Sequence, residues 1–411
     1  MKKEIIKTIE RKQCINVAGN EVESLRNNND IKNTVRIYDG GAIGVAGKIG
    51  NCDEKELEKK AAENLRQGIP YPETEEKPCK ISVDRVKEII PAEEFVPTVK
   101  RLIARLAKEN PQFIFSNKVI MEETEKTYAS SCGAEYRYRG NEFSLGLALK
   151  YKGSANIMDE FCEGSADYYN EDEIASDAKL ICDGFLKPLP QIEEDEIPVI
   201  FDGAGPLQYF FGAFVADMYC NGASLLNGKL GEKVFNENFT VALDRNPDRV
   251  PNIPFFDAEG VVNEDYCAYL IKNGVMRNLL TNKRSAAMYN VDNIGSSSAD
   301  YDAVPDLGAA GVCVAKTHES VMDIIGNSRA VFATVTSGGD STPSGDFSIP
   351  CMVSYLYENG ELKGRLPEFA ISGNIFDAFG KDFLGRAEKG IYSFGRHHYL
   401  VFRAKLVNKA N

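Results

Sequence analysis

Asp257 and Glu259 are the residues whose type and spacing best suit acid–base chemistry in this sequence. They are two positions apart, and on a strand such residues point to the same face. Two neighbouring carboxyl groups can divide the work of a general acid and a general base. One hypothesis is therefore a self-sufficient homodimeric hydrolase that uses this pair, or a thiol such as that of Cys220.

The three histidines do not form a metal-binding pattern. His318 is followed by a glutamate, but no second histidine comes one turn later, so this segment predicts a solvent-facing helix start. His397 and His398 are consecutive, and the sequence after them predicts a strand. Adjacent residues on a strand point to opposite faces, so one of the two can face a cavity but both cannot bind one ion.

Other reactive groups favour structural interpretations. The segment 337–341, Ser-Gly-Gly-Asp-Ser, is more typical of a turn-rich loop than of a nucleophile, because no histidine is near it in sequence. The ten cysteines are scattered singly and predict buried, reduced thiols. The alternating Tyr-Arg-Tyr-Arg at 136–139 predicts a half-exposed strand rather than an RNA site.

Charge and hydropathy narrow the classes of partner. The net charge is −13, which opposes binding to nucleic acid, and no apolar run is long enough to span a membrane. The N-terminus mixes acidic and basic residues and lacks the apolar core of a signal peptide. These features predict a cytoplasmic protein that binds neither nucleic acid nor membrane.

Apolar spacing and turn residues predict an α+β fold of two domains. A chain of 411 residues exceeds what one core usually serves. Prolines and acidic residues between 187 and 196 predict a linker, so we expect domains at 1–190 and 197–411. Three helices are predicted in the first domain, capped at Asp53, ending before Pro111 and starting near Asn170.

The second domain is predicted to be rich in antiparallel sheet. A strand at 199–201 precedes a helix with the buried face Leu207, Phe210, Phe211, Phe214 and Met218. Asn-Gly pairs at 273–274 and 359–360 predict two tight hairpins. Before both hairpins, glycines alternate with polar residues from Tyr219 to Val234, which predicts a surface loop.

Several ordered motifs of the second half resemble the TldD/PmbA family, whose members were once called modulators of DNA gyrase and are now regarded as peptidase subunits. One is Ser-x-x-x-Gly-Lys-Leu-Gly-Glu-Lys-Val at 224–234, followed by Asp244 and by Asp-x-Glu-Gly at 257–260. Further matches lie at 344–348, 358–362 and 372–374. The resemblance is strong after about residue 195 and looser before it.

The resemblance also implies where catalysis takes place. The catalytic branch of the family carries H-E-x-x-x-H on a helix just before the glycine-rich loop, with a cysteine ligand near the C-terminus. Here the corresponding residues 207–214 read Leu-Gln-Tyr-Phe-Phe-Gly-Ala-Phe, and no cysteine follows Cys351. The chain therefore resembles the PmbA (TldE) branch, and we expect it to hold no zinc and no other cofactor.

By the same resemblance, the first domain is a sheet with flanking helices and the second a strongly curved, mainly antiparallel sheet. Family members form twofold dimers, so the implied partner is a zinc-bearing TldD-like subunit or a second copy, around a cavity for unfolded peptides. A plain protein-interaction module remains an alternative. The residues expected at the cavity or interface are Ser224, Gly228, Lys229, Gly231, Glu232, Asp257, Glu259, Gly260, Gly373 and Asn374.

Overall fold

Long antiparallel strands dominate the first half of the chain in the structure, a computed structural model that describes residues 1–73 and 78–408. The sheet order is β4-β3-β2-β1-β6-β7-β5, and β8 also pairs with β7. The strands are β1 Lys2–Ala18, β2 Glu21–Asp39, β3 Ala42–Ile49, β4 Ile69–Pro70, β5 Cys79–Asp84, β6 Phe113–Ser130, β7 Ala134–Tyr151 and β8 Glu160–Ala166.

Three helices flank this sheet, and the sequence predicted all three. They are α1 Glu54–Asn64, α2 Phe95–Glu109 and α3 Glu171–Phe185. Asp53 and Asn170 cap the first and third helix as expected, although Asp53 accepts a hydrogen bond from Lys55 and not from Glu56. The sequence also predicts separate short strands at 113–115, 119–121, 135–139 and 143–151. In the structure they are segments of the continuous β6 and β7, because the pairing of these two strands runs along their whole length.

The second half contains a closed barrel. Strands β16, β9, β22, β20 and β18 pair in that order, and β16 also pairs with β18, which closes the ring. Among these pairs only β9 with β16 is parallel. The strands of this half are β9 Glu196–Asp202, β10 Val241–Asp244, β11 Cys267–Lys272, β12 Val275–Met276, β13 Ser297–Ser298, β14 Asp306–Leu307, β15 Val312–Val314, β16 Ala330–Thr336, β17 Asp340–Ser341, β18 Asp346–Glu358, β19 Glu361–Arg365, β20 Phe369–Asn374, β21 Phe383–Ala387 and β22 Tyr399–Asn408.

A smaller sheet accompanies the barrel, in the order β12-β11-β10-β15. Both predicted hairpins are present, and Asn273 and Asn359 have the positive φ that such turns need. Short helices complete this half: α4 Ala216–Cys220, α5 Lys283–Tyr289, α6 Val321–Ile325 and α7 Ile375–Ala378. The strongly curved, mainly antiparallel sheet and the α+β class are therefore confirmed.

The segment expected to form one helix from 207 to 218 is different. Gly205–Phe214 is a 3₁₀ helix, the short α4 follows it, and Met218 is exposed. His397 and His398 precede β22 instead of lying on it. Their side chains still point in different directions, as expected: His397 is buried and His398 is exposed. His318 likewise lies before α6, which is capped by Ser320.

The two halves share buried contacts. One apolar core contains α2, α3 and β7 together with barrel residues such as Tyr355 and Val401. Glu160 of β8 accepts hydrogen bonds from Thr334 and Tyr355 at 2.7 and 2.9 Å. The domain division at 190 and 197 stays a prediction. In the described part of the chain, no helix is both long and apolar enough to cross a membrane.

Candidate functional site

The 3₁₀ segment Gly205–Phe214 occupies the position at which the resemblance places a metal-binding helix. Gly205, its first residue, has a φ of 52°, which only glycine adopts readily, and Pro206 follows in the first turn. Leu207, Phe210 and Phe214 are buried. None of its ten residues is a histidine, cysteine or acid, so this segment supplies apolar surface and no metal ligand.

A cavity of about 390 Å³ lies beside this segment. Its lining combines apolar side chains with basic ones and includes Leu207, Phe211, Val250, Ile253, Val312, Arg249, Arg386, Arg396 and His398. A second cavity of about 850 Å³ shares Arg249, Val250, Cys313, Val314, Arg386 and His398 with the first, so the two form one cleft. The second cavity adds the acids Asp244, Asp248, Asp265 and Glu388.

Arg386 of β21 lies where the two cavities meet. It is 5% exposed, its Nη1 donates to Glu388 at 2.9 Å, and its Nη2 donates to Nδ1 of His398. Its backbone N–H donates to Thr317 Oγ1 at 2.8 Å. Because His398 accepts at Nδ1, its ring is neutral in this arrangement and carries its proton on Nε2.

His397 belongs to the frame of the cleft and not to its lining. Its Nδ1 and Nε2 lie 2.6 Å from Asp202 and 2.7 Å from the Phe394 carbonyl, and both of these partners are acceptors. Burial is the largest single influence and opposes the charged ring, but the hydrogen bond with Asp202, the charge of Asp202 and the Phe394 carbonyl together outweigh it, so the pKa of His397 is raised. Its ring also stacks on Tyr399 at 5.5 Å. This histidine therefore holds the chain before β22 in place.

The thiols of the cleft are poor nucleophiles. Burial, followed by the charge of Asp244, raises the pKa of Cys313 to about 11. Burial also raises the pKa of Cys267. Both thiols stay protonated at neutral pH, and the thiolate is the reactive form.

The glycine-rich loop from Ser224 to Val234 packs along the β11–β12 hairpin. Ser224 is buried and donates to the Ala213 carbonyl at 2.6 Å, which ties the loop to the 3₁₀ segment. Gly231 N–H donates to Met276, and Met276 N–H donates to Glu232, at 2.9 and 3.0 Å. These main-chain groups are already paired, so they are not free to hold a peptide.

The exposed part of this loop runs from Asn227 to Lys233 and includes the expected residues Gly228, Lys229, Gly231 and Glu232. Both glycines have a positive φ, 73° and 86°, and open space where a side chain would begin. Replacing either glycine is therefore opposed by the positive φ of the backbone and not by overlap with neighbouring atoms. The loop therefore presents its charged side chains to solvent.

Asp257 is buried and organises its own turn. Its Oδ1 accepts from the N–H groups of Glu259 and Val261 at 2.8 and 2.9 Å, and its Oδ2 accepts from Ser297 N–H at 3.2 Å. The side chain is 2% exposed. A carboxylate so enclosed does not reach a substrate in the cleft.

Glu259 lies in a buried charged cluster that we define as Glu4, Arg36, Glu259 and Lys283. Its carboxylate accepts from Tyr71 OH and from Lys283 N–H, and Lys283 Nζ lies 3.2 Å from Glu4. Burial, followed by the charge of Asp257, raises the pKa of Glu259. The cluster joins β1 and β2 to the loop around 257–260.

Gly260 and Gly373 are required by close packing. Gly260 has a φ of 75°, and a Cβ there would overlap the Tyr128 ring. A Cβ at Gly373 would lie 2.9 Å from the Phe347 ring. Neither glycine can be replaced without displacing an aromatic neighbour.

Asn374 joins two of the motifs that carry the resemblance. Strands β18 and β20 pair Asp346 with Asn374, and the Asn374 amide donates to Asp346 Oδ1 at 3.0 Å and to the Ser344 carbonyl at 3.1 Å. This hydrogen bond from Asn374 contributes most to lowering the pKa of Asp346. The segments 344–348 and 372–374 thus form one polar corner at the barrel rim.

The sequence-based candidates therefore lie in three places: the loop at 224–234, the buried turn at 257–260 and the polar corner at 373–374. The residues that line the cleft, Arg249, Arg386, Arg396 and His398, were not among them. The only signal for any of these was the expectation that one of the two adjacent histidines could face a cavity, and His398 does. The arginines belong to no motif.

The zinc site of the family's catalytic branch does not fit these residues. Within the ranges 1–73 and 78–408, the structure places no three His, Cys, Asp or Glu side chains where they could share a metal ion. Leu207 and Phe211 line the cavity from the 3₁₀ segment. A divalent zinc ion needs nitrogen, sulfur or carboxylate ligands, which these two side chains cannot supply.

Known proteins similar to this chain include metallopeptidases. Residues 194–386 match the PmbA/TldA metallopeptidase C-terminal domain. An uncharacterised protein of Methanocaldococcus jannaschii is 23% identical over 89% of this chain and 86% of its own length. A protein of Archaeoglobus fulgidus named metalloprotease is 24% identical over 71% of this chain and 69% of its own.

Among solved structures, the fold matches that of TldE from Thermococcus kodakarensis. The TM-score is 0.77 at 19% identity, over 99% of this chain and 96% of that one. The match extends through both halves, including the part before residue 194 that the domain match leaves out. The resemblance read from the motifs is thereby confirmed: residues 194–386 are similar to the C-terminal domain of the PmbA/TldA metallopeptidases, and the whole chain shares the fold of TldE.

Proposed function

We propose that this protein is a TldE-like (PmbA-type) subunit of a TldD/PmbA-type peptidase, which lacks zinc and hydrolytic activity of its own. It contributes walls to a cavity for unfolded peptides, and a zinc-bearing TldD-like subunit carries out hydrolysis. The observation that carries this proposal is the segment Gly205–Phe214, which presents Leu207 and Phe211 to the cavity and has no histidine, cysteine or acid, although the resemblance implies metal ligands at this point of the chain.

The hydrolase that would act alone has less support. Asp257 and Glu259 are 2% and 0% exposed, and both are engaged in holding the backbone. The cleft thiols of Cys267 and Cys313 have raised pKa values. Cys220 is exposed at the end of α4 and is the remaining nucleophile of this hypothesis.

The experiment measures cleavage of an unstructured peptide by the purified protein, by a zinc-bearing homologue from the same organism, and by the two together. We expect no cleavage by this protein alone. Elemental analysis is expected to find less than about 0.1 zinc per chain, as an order-of-magnitude bound. The mixture is expected to cleave the peptide, and a chelator should abolish that cleavage.

Two outcomes contradict the proposal. One is chelator-resistant cleavage by this protein alone that disappears with Cys220→Ser, which would establish the self-sufficient enzyme. The other is a mixture that is no more active than the homologue alone and in which the two chains do not associate. That result would favour an interaction module with a different partner.

A further inference from the structure

The cavity beside the 3₁₀ segment is basic although the chain is acidic. The net charge is −13, yet the residues that line the 390 Å³ cavity include three arginines and one histidine and no Asp or Glu. The acids of the cleft line only the larger neighbouring cavity. A pocket of one sign of charge with low-dielectric walls concentrates ligands of the opposite sign.

Arg386 provides a buried donor that the fold does not use. It is 5% exposed, and its Nε–H has no acceptor among the described residues. An unpaired buried donor of this kind costs stability, and such groups usually have a water, an ion or a ligand as partner. The guanidinium has five N–H donors, and Glu388 and His398 take one each.

Arg396 has spare donor capacity at the same cavity. Its Nη2 lies 3.4 Å from the Glu142 carboxylate, which is longer than a usual charge-assisted hydrogen bond. Arg249 is different, since its Nε and Nη2 both bind Asp244, at 2.5 and 3.0 Å. The two arginines available to a ligand are therefore Arg386 and Arg396.

The rest of the lining is apolar. Leu207, Phe211 and Ile253 belong to it, next to the arginines. A volume of 390 Å³ lies in the usual range of ligand pockets, roughly 300–1,000 Å³, and is too small for a folded chain. The chemistry that suits this cavity is a carboxylate attached to an apolar group.

We infer that this cavity binds the free C-terminal carboxylate of an unfolded peptide whose last side chain is apolar. The inference rests on the proposed function and adds to it a class of peptide and a direction of binding. The carboxylate pairs with Arg386 and Arg396, and the last side chain packs against Leu207 and Phe211. Planar guanidinium groups suit carboxylates because they donate two parallel hydrogen bonds.

The test uses the protein alone and fluorescence anisotropy of a labelled, unstructured peptide that ends in leucine, either as the free acid or as the amide. We expect the free acid to bind about tenfold tighter or more, because a hydrogen-bonded charge is lost in the amide. N-acetyl-leucine is included as a competitor that carries the same carboxylate without a peptide chain.

Each of the variants Arg386→Met and Arg396→Gln is expected to remove most of the difference in affinity between the free-acid peptide and the amide peptide. The matched control is Arg101→Gln, which changes an arginine paired with Glu171 on the helices α2 and α3. It is expected to leave the difference unchanged. If Arg386→Met does not fold, Arg396→Gln carries the test.

The inference would be overturned if the free-acid and amide peptides bound with equal affinity. It would also be overturned if the affinity difference persisted in both arginine variants. Competition by N-acetyl-leucine at the same concentration as by the peptide would assign the cavity to a small carboxylate instead. Because binding is measured without a zinc-bearing partner, its failure leaves the result of the mixed peptidase assay unaffected, and the converse also holds.

Discussion

At the residue scale, the carboxylate of Asp257 is committed to the backbone. It accepts three N–H groups and is 2% exposed. Asp257→Ala is expected to lower the free energy of unfolding by about 3 kcal/mol, because three buried donors lose their acceptor. The measurement is urea denaturation, with the exposed Asp300→Ala as the control.

A catalytic role for Asp257 predicts a different result. The variant would then keep its stability and lose an activity that the protein has by itself. A stability equal to that of the wild type would show that the hydrogen bonds of this turn contribute little.

Glu160 is a second buried acid with a structural role, and it makes stability depend on pH. Burial raises the pKa of Glu160 from 4.5 to about 7 in the folded protein. The folded state therefore holds this proton over a range in which the unfolded state releases it. The stability contributed by this group is complete below about pH 4.5 and is lost as the pH rises through about 7.

The difference between wild type and Glu160→Gln isolates this effect. The wild type is expected to lose up to about 3 kcal/mol relative to the variant between pH 4.5 and 7.5. Denaturation at several pH values checks this. A constant difference over this range would mean that Glu160 has an ordinary pKa in the folded protein.

At the element scale, the loop 224–234 has a main chain with a structural role and charged side chains that are exposed. Its main chain pairs with Met276, whereas Lys229 and Glu232 face solvent. We expect the double variant Lys229→Ala, Glu232→Ala to change stability by less than about 0.5 kcal/mol, because exposed substitutions rarely do more. The same variant is expected to reduce assembly with, or activation of, a zinc-bearing homologue.

Valine at Gly228 and Gly231 would be a less selective change. Both residues have a positive φ, in which a branched side chain is strained by about 1–2 kcal/mol.

Analytical ultracentrifugation and the peptidase assay measure the effect of the double variant Lys229→Ala, Glu232→Ala, with Lys363→Ala on the hairpin at 359–360 as the control. Unchanged assembly and activation would identify the loop as an ordinary connection.

At the scale of the whole molecule, charge and pairing predict the partners. With a net charge of −13, the protein is expected not to bind duplex DNA at physiological salt, since binding depends on replacing counterions with basic side chains. Arg137 and Arg139, the basic residues of the Tyr-Arg-Tyr-Arg segment, are held by Glu125 and Glu123 at 2.8 and 2.9 Å. Electrophoretic mobility shift at micromolar protein checks this, and a salt-sensitive shift would contradict it.

The protein is also expected to be a dimer, either with itself or with a TldD-like subunit. Sedimentation of the purified chain, alone and with that homologue, measures this. A stable monomer under both conditions would remove the support for a shared peptide cavity.

Several elements of the fold have local sequence signals that are enough to predict them. The cap at Asp53, the apolar stripe of α2 and the Asn-Gly hairpins follow from the spacing of a few neighbouring residues, and all three are present. The absence of metal ligands from 207–214 is also a property of sequence alone. Local patterns could not give the lengths of β6 and β7, because strand length depends on pairing with a partner.

Which groups the candidate residues can contact depends on packing between distant parts of the chain. The spacing of Asp257 and Glu259 suited acid–base catalysis, but the packing of β1 and β2 against their turn buries both carboxyl groups. Conversely, Arg386, Arg396 and Arg249 share no motif, and Arg249 lies far from the other two in the chain. They meet because β21, the segment before β22 and the turn after β10 converge on one cavity. Such proximity is a property of packed sheets and not of any local sequence pattern.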